Sequence, residues 1–243
     1  MPVPAGRPRH AAHRTGNRTH VHTHETAIID SWQRNTAPWT AAVREGRIDS
    51  RRLVTDQAIV DAVMRRAPRS VLDLGCGEGW LTRRLGALGV AVVGVDAVAE
   101  LVSAATAAGG GDFRVASYAQ VVAGVLGRRF DLVVSNFALL GEQSVDDLVH
   151  GAPRLLRRRG ALVVQTLHPL AACSDLPYRD GWREGSWTGF DPAFTDPAPW
   201  YFRTLETWIR LFDDSGLRLR AVHEPVHPHS GKPASVIFVA ERA

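Results

Sequence analysis

From about residue 67 onward, short apolar runs alternate with longer amphipathic stretches. Val71–Leu74 is a compact run of the kind that forms a strand buried on both faces. Val90–Val95, Phe113–Val115, Phe130–Ser135 and Ala161–Leu167 repeat the pattern. Between them, Leu81–Leu88, Ala97–Ala108 and Val145–Leu156 show helical spacing. The last of these ends in Arg157–Arg159 and Gly160, a helix stop. A helix is expected over Thr204–Ser215, then two final strands at Leu217–His223 and Ala234–Ala240. Such alternation predicts a parallel, doubly wound α/β sheet, with ligands at the carboxyl ends of its strands.

Two segments depart from this rhythm. Residues 1–25 are rich in Arg, His, Pro and Thr and nearly lack large apolar side chains, so they are expected to be disordered. Their histidines (His10, His13, His20, His22 and His24) have no accompanying ligand frame, and no metal site is expected. Residues 26–66 are expected to be helical, with Ser50 capping a helix whose apolar face holds Leu53, Ile59, Val60, Val63 and Met64. Trp32 and Trp39 either pack against the domain or form a lid. Residues 169–203 contain Tyr178, Trp182, Trp187, Phe190, Phe194, Trp200, Tyr201 and Phe202. That stretch is too aromatic for a solvated linker and too long for an ordinary loop. It follows the fifth strand, so it is expected to cover the site as an insertion within a single domain over 67–243.

Composition narrows the field. At 243 residues and 45% hydrophobic content, the chain readily builds one core. No apolar run approaches the roughly 18 residues of a membrane span, and the N-terminus is not a secretory signal. Two cysteines, Cys76 and Cys173, make no disulfide framework or metal motif, which fits a reducing cytoplasm. The formal charge is +4, almost all positive charge is arginine, and Lys232 is the sole lysine. The arginines are scattered in small clusters where helix ends favour cations, which argues against nucleic acid as a partner.

The chemistry concentrates in Val71–Trp80, V-L-D-L-G-C-G-E-G-W. A strand that breaks into Gly75, Gly77 and Gly79 before a helix lets a ligand approach bare backbone at a helix N-terminus. The G-x-G-x-G spacing departs from the dinucleotide pattern G-x-G-x-x-G, and Trp80 stands where its third glycine would be. Asp96 ends the second strand, where a carboxylate accepts ribose hydroxyls or caps the next helix. His168, after the fifth strand, is a candidate general base, or else a histidine bonded to its own loop; His223 is its rival.

D-x-G-x-G-x-G resembles the first motif of the class I S-adenosylmethionine-dependent methyltransferases. V-V-G-V-D, D-L-V-V-S-N-F-A and R-G-A-L-V-V-Q-T-L-H-P extend the likeness from Ile29 to about Ala240, toward the ubiquinone-biosynthesis O-methyltransferase group. The resemblance implies a Rossmann-like sheet of seven strands, mostly parallel with an antiparallel last strand. It implies S-adenosylmethionine as cofactor, S-adenosylhomocysteine as product, and no metal. The implied cofactor residues are Asp73, Gly75, Cys76, Gly77, Gly79, Trp80, Asp96, Ala97, Ser117, Tyr118, Asn136 and Phe137. Ser117 and Tyr118 fall where relatives contact adenine. Arg51 and Arg52 come within reach of the methionine carboxylate. Ser135-Asn136-Phe137-Ala138 replaces the Asn-Pro-Pro-Tyr of DNA- and glutamine-methylating relatives, which disfavours those acceptors.

These readings predict methyl transfer to O, N or C of a small, aromatic or apolar metabolite, in a bacterial specialised-metabolite setting. Trp39, Tyr178, Trp182, Trp200 and Tyr201 are expected to meet the acceptor, and the protein to be a monomer or homodimer. An RNA methyltransferase, a non-catalytic protein that binds S-adenosylmethionine and, last, a dinucleotide oxidoreductase are the alternatives.

Overall fold

A computed structural model describes residues 15–173 and 175–242. Its central sheet holds β1 (Ser70–Leu74), β2 (Ala91–Asp96), β3 (Asp112–Val115), β4 (Phe130–Asn136), β5 (Leu156–Thr166), β8 (Leu217–His223) and β9 (Val236–Arg242). The order is β3-β2-β1-β4-β5-β9-β8. β1, β2, β3, β4 and β5 pair in parallel, and β9 runs antiparallel to both β5 and β8. This is the seven-stranded sheet with an antiparallel last strand. The order reverses between β2-β1 and β4, and that switch point opens a crevice at the strands' carboxyl ends.

Helices cover both faces. α3 (Asp56–Met64) and α4 (Trp80–Ala87) press Ile59, Val63, Leu81 and Leu85 onto Val71, Leu132, Val134 and Val163. On the other face α6 (Tyr118–Val122), α7 (Gln143–Leu155) and α9 (Leu205–Asp214) pack Val121, Leu148, Trp208 and Phe212 on Leu72, Val133, Leu162 and Phe238. β1 is buried at all five positions, as a central parallel strand must be. Each fully buried Leu or Phe contributes about 1.5–3 kcal/mol, and the two layers fix the strand ends rigidly.

Several boundaries differ from expectation. The arginine run does not cap α7; Arg157 to Arg159 lie in the extended start of β5, with Arg159 in a left-handed conformation and Arg157 paired to Asp131 at 3.0 Å. Ser50 makes no cap bond, because the chain enters α3 through a π-helical turn, Arg51–Thr55. α1 (Thr15–Arg34) begins inside the stretch expected to be disordered, and α2 (Thr36–Arg44) follows it. His10 and His13, and the expected disorder over 1–14, lie outside the described residues. The insertion is built rather than irregular: α8 (Pro169–Cys173) precedes β6 (Gly181–Arg183) and β7 (Trp200–Phe202), which pair as a two-stranded sheet. α5 (Ala99–Ala108) completes the crossovers. No helix among the described residues is long and apolar enough to cross a membrane.

Candidate active site

β1 ends at Leu74, and the chain turns through Gly75, Gly77 and Gly79 at φ values of 69°, 56° and 87°. Only glycine takes such angles cheaply. Gly75 is required twice over, since a Cβ there would lie 2.3 Å from the Ala138 Cβ on the loop after β4. The backbone N–H groups of Gly75 and Cys76 both donate to the Val95 carbonyl, at 2.8 and 2.9 Å. The loop is thereby tied to β2. Asp96, at the end of β2, accepts from Gly77 N through one oxygen and from Val98 N through the other, each at 2.9 Å. It organises both the glycine loop and the approach to α5.

Asp73 does not line the cavity. Its carboxylate is buried under the loop and accepts from the Thr82 hydroxyl at 2.8 Å. Burial pushes its carboxyl up to about 7; the Thr82 hydroxyl opposes this, and the Asp96 charge adds to it. Burial also raises Asp96, against the Val98, Gly77 and Ala97 N–H groups. The Cys76 thiol is raised by burial and by the charges of Asp73 and Asp96, and so is kept unreactive. Gly79 starts α4 without facing the cavity: a Cβ there would meet Phe113 at 2.6 Å.

Gly75, Cys76, Gly77, Trp80, Asp96, Ala97, Ser117, Tyr118, Asn136 and Phe137 converge on one cavity of about 810 Å³. The Ser117 hydroxyl is committed to a capping box at the head of α6, with Gln120 as its reciprocal partner. The Tyr118 hydroxyl donates to the Ala138 carbonyl at 3.0 Å and stays neutral, its acidity suppressed chiefly by burial. Phe137 sits at φ 54°, with its N–H held by the Gln165 carbonyl at 2.8 Å. A bulky residue in the left-handed region is strained, and here the strain turns the chain sharply at the cavity wall. The Asn136 Oδ1 is sealed from solvent and has no protein partner.

Arg51, expected near the methionine carboxylate, is joined by Thr55, which no sequence pattern signals. Arg51 and Thr55, at the two ends of the π-helical turn, both face the cavity. The wider π turn brings these positions onto one side, as such turns often do at functional sites. Arg51 Nε donates to Asp56 at 2.9 Å, and its guanidinium lies 4.7 Å from the Trp80 ring and 5.7 Å from that of Trp39. Its Nη2 and the Thr55 hydroxyl are buried without partners. Arg52 turns outward to Asp49 instead. Beside them Glu78, also buried, holds Arg44 at 2.9 Å and Arg83 at 2.6 Å, clamping α2 to the glycine loop.

The two histidines are corrections. His168 is buried but does not line the cavity; its Nε2 meets Glu224 Oε1 at 2.7 Å and its Nδ1 accepts from Leu170 N at 3.3 Å. Both ring nitrogens are used: Nε2 joins the β5 end to the loop after β8, and Nδ1 holds the start of α8. His223 is half-buried at the end of β8 and also lies outside the lining. Among the described residues, no histidine lines the cavity.

Of the expected acceptor residues, Trp39, Trp200 and Tyr201 line the cavity. Tyr178 does not: its hydroxyl accepts from Leu205 N at 3.0 Å. Nor does Trp182, whose Nε1 donates to Glu142 at 3.1 Å while its ring stacks on His24. Sequence reasoning missed Glu25, which lies in the stretch expected to be disordered, and gave no site role to Ile28 and Ile29, which lie in the segment expected to be helical; it also missed Arg203. Arg203 is buried, and its guanidinium donates to the Gly141 and Glu142 carbonyls and to Asp146 at 2.7–2.8 Å. Its charge fixes the loop between β4 and α7. An aromatic chain runs from Trp39 to Trp32 to Trp187 to Phe190 and Phe194, linking the glycine loop to the insertion.

The comparisons agree with this geometry. The family described as "Methyltransferase domain" matches residues 50–222. A malonyl-[acyl-carrier protein] O-methyltransferase of Enterobacter lignolyticus is 34% identical over 128 residues, 51% of this chain and 49% of that protein. This chain's match thus spans about half the length of that relative. A methyltransferase structure from Mesorhizobium loti superposes with a TM-score of 0.55 at 23% identity, covering 72% of this chain and 91% of the other. A glycopeptide N-methyltransferase holding S-adenosylhomocysteine gives a TM-score of 0.60 at 18% identity, over 75% of this chain and 87% of that one. The family match over well over half of the chain, on a sheet of this order, shows that the protein belongs to the methyltransferase-domain family and has the class I fold.

Proposed function

We propose that this protein transfers the methyl group of S-adenosylmethionine to a small, largely apolar acceptor held beneath α1 and the aromatic insertion. The observation that carries the reading is the pair of orphaned donors, Arg51 Nη2 and the Thr55 hydroxyl, beside the glycine loop. An unpaired buried guanidinium nitrogen is costly unless an anion meets it, and a methionine carboxylate fits both charge and position. The chain's residues fit the rest of the cofactor. Gly75 and Gly77 leave room for it, Asp96 lies where its ribose would be, and Ser117 and Tyr118 lie on the adenine side.

When bound, S-adenosylmethionine supplies an electrophilic methyl on sulfur and leaves as S-adenosylhomocysteine. The protein's part is to align the acceptor with that methyl and to exclude water. Leu139, Leu140, Trp32, Trp187 and Trp200 present apolar walls for this purpose. No described residue brings an imidazole into the cavity, so the reading rests on positioning of the acceptor rather than on a histidine base. Acidic acceptors such as phenols or carboxylic acids suit such a site. The name of the Enterobacter relative specifies transfer to oxygen, and we favour an oxygen acceptor here. Arg66, Arg83 and Arg157, one from each of three small arginine clusters, are paired with Glu241, Glu78 and Asp131, and the enclosed, largely apolar cavity favours a small acceptor over RNA. A cytoplasmic, biosynthetic role in specialised metabolism fits such an acceptor.

The test is calorimetry followed by turnover. S-adenosylhomocysteine is expected to bind and NADH not to. Labelled S-adenosylmethionine is then offered with a panel of phenols, quinols, carboxylic acids and amines, and label is expected in a phenol, quinol or acid. Cofactor binding without transfer to any of them counts against the acceptor class; no binding counts against the reading as a whole.

A further inference from the structure

α1 lies before residues 50–222, the part of the chain that matches the family, yet Glu25, Ile28, Ile29 and Trp32 wall the cavity. How α1 is held there differs at its two ends. At one end the Glu25 carboxylate caps a different helix, α7. It accepts from Glu142 N at 2.9 Å, Ser144 N at 3.2 Å and the Ser144 hydroxyl at 2.5 Å. The first N–H groups of a helix have no partner within it, and Glu142, at the N-cap of α7, makes no side-chain cap bond of its own. Glu25 fills that role from outside, with the helix dipole in its favour. Gly141 makes the approach possible, since a Cβ there would lie 2.4 Å from Glu25 Oε2 and 2.3 Å from Ser144 Oγ.

The other end is tied to the insertion. Asn35, fully buried, donates to the Thr195 carbonyl at 2.7 Å and accepts from Thr195 N at 2.9 Å. The Ser31 hydroxyl donates to the Asp196 carbonyl at 2.5 Å, and Trp32 packs edge-on against Trp187. Opening this end breaks three hydrogen bonds and also exposes the packed rings of Trp32 and Trp187 to water, which adds a hydrophobic cost. Opening the Glu25 end exposes a carboxylate and two N–H groups to water, which hydrates all of them. Asn35 also breaks the helix between α1 and α2, so the hinge and the firm anchor coincide.

We propose that Glu25 is the positioning residue that latches α1 over the cavity, and that its release from α7 gates passage of the cofactor and its product. This rests on the cofactor reading above. α1 pivots about Asn35 and swings at the Glu25 end. A gate and a direct ligand contact leave different kinetic signatures. Weakening a gate changes entry and exit together, whereas removing an interaction made only in the bound state changes mainly exit.

The experiment is stopped-flow tryptophan fluorescence of the full chain mixed with S-adenosylhomocysteine. In Glu25→Gln, association and dissociation rates are both expected to rise, by roughly tenfold for loss of a charge-assisted capping bond, with the Kd held within about threefold. Ser144→Ala, a milder change on the opposite helix, is expected to raise both rates in the same sense and guards against a folding defect in the first variant. Unchanged rates in both variants overturn the latch. So does a faster exit alone with a proportionate loss of affinity, because Glu25 would then touch the ligand directly. No binding to the unsubstituted chain overturns the cofactor reading and the latch with it.

Discussion

Arg51 shows how much one side chain can carry here. It is buried, its Nε is fixed by Asp56, its plane rests between Trp39 and Trp80, and one of its nitrogens has no partner. Arg51→Met keeps the stem and removes the donor, and so is expected to weaken S-adenosylhomocysteine binding about 10- to 100-fold by calorimetry, the loss of a hydrogen bond to a charged group. Asp73 gives a prediction about pH. Its carboxyl titrates near 3.8 when unfolded and near 7 when folded, so the folded chain holds the extra proton between those values. The stability it contributes is therefore present at low pH and is lost as pH rises to about 7. Asp73→Asn keeps an acceptor for Thr82 without the charge. Urea unfolding of the two proteins should show the variant's relative stability growing across that window by a few kcal/mol, at ~1.4 kcal/mol per pH unit, and level above it. For His168 the expectation is structural: His168→Gln should retain transfer activity within about threefold once an acceptor is known, because a residue outside the cavity contributes none of the roughly 10²–10⁴ typical of a general acid or base.

At the scale of elements, the glycine loop and the two lid pieces contrast. The loop is defined by local backbone: three left-handed glycines, a strand before and a helix after. Each part leaves a mark in the sequence, which is why the cofactor side was legible there. Gly75→Ala is expected to abolish measurable cofactor binding, since the added Cβ collides with Ala138 at 2.3 Å in a left-handed turn. The lid was legible only in part. Its aromatic content pointed to a cover, and Trp39, Trp200 and Tyr201 do line the cavity, but Tyr178 and Trp182 brace the insertion itself. Which of these rings face the ligand is set by long-range bonds, Tyr178 to Leu205 and Trp182 to Glu142, that local spacing does not encode. The same holds for the first part of α1: the polar composition up to Glu25 suggested no structure, because the partner that Glu25 meets, Ser144, is more than a hundred residues away.

For the whole molecule, stability and ligand binding should be linked through the shared cavity. A ligand that binds only the folded chain stabilises it by about 2.7 kcal/mol at a hundred times its Kd. S-adenosylhomocysteine is accordingly expected to raise the melting temperature by several degrees, and NADH to leave it unchanged in the same scan. Truncation before Asn35 should keep this response, because the matched region begins near residue 50 and carries the glycine loop, Asp96 and Arg51.

The sequence by itself determined the alternation of strands and helices, the parallel sheet and the cofactor loop. Those features arise from local periodicity and from backbone conformations that particular residues alone adopt. Only the tertiary structure decided which polar groups face the cavity. It turned His168 toward Glu224, set Arg51 and Thr55 side by side on a π turn, and placed Glu25 on α7. Each of those outcomes depends on contacts between distant segments, where burial makes an unmet hydrogen bond costly, and adjacency in the chain says nothing of that.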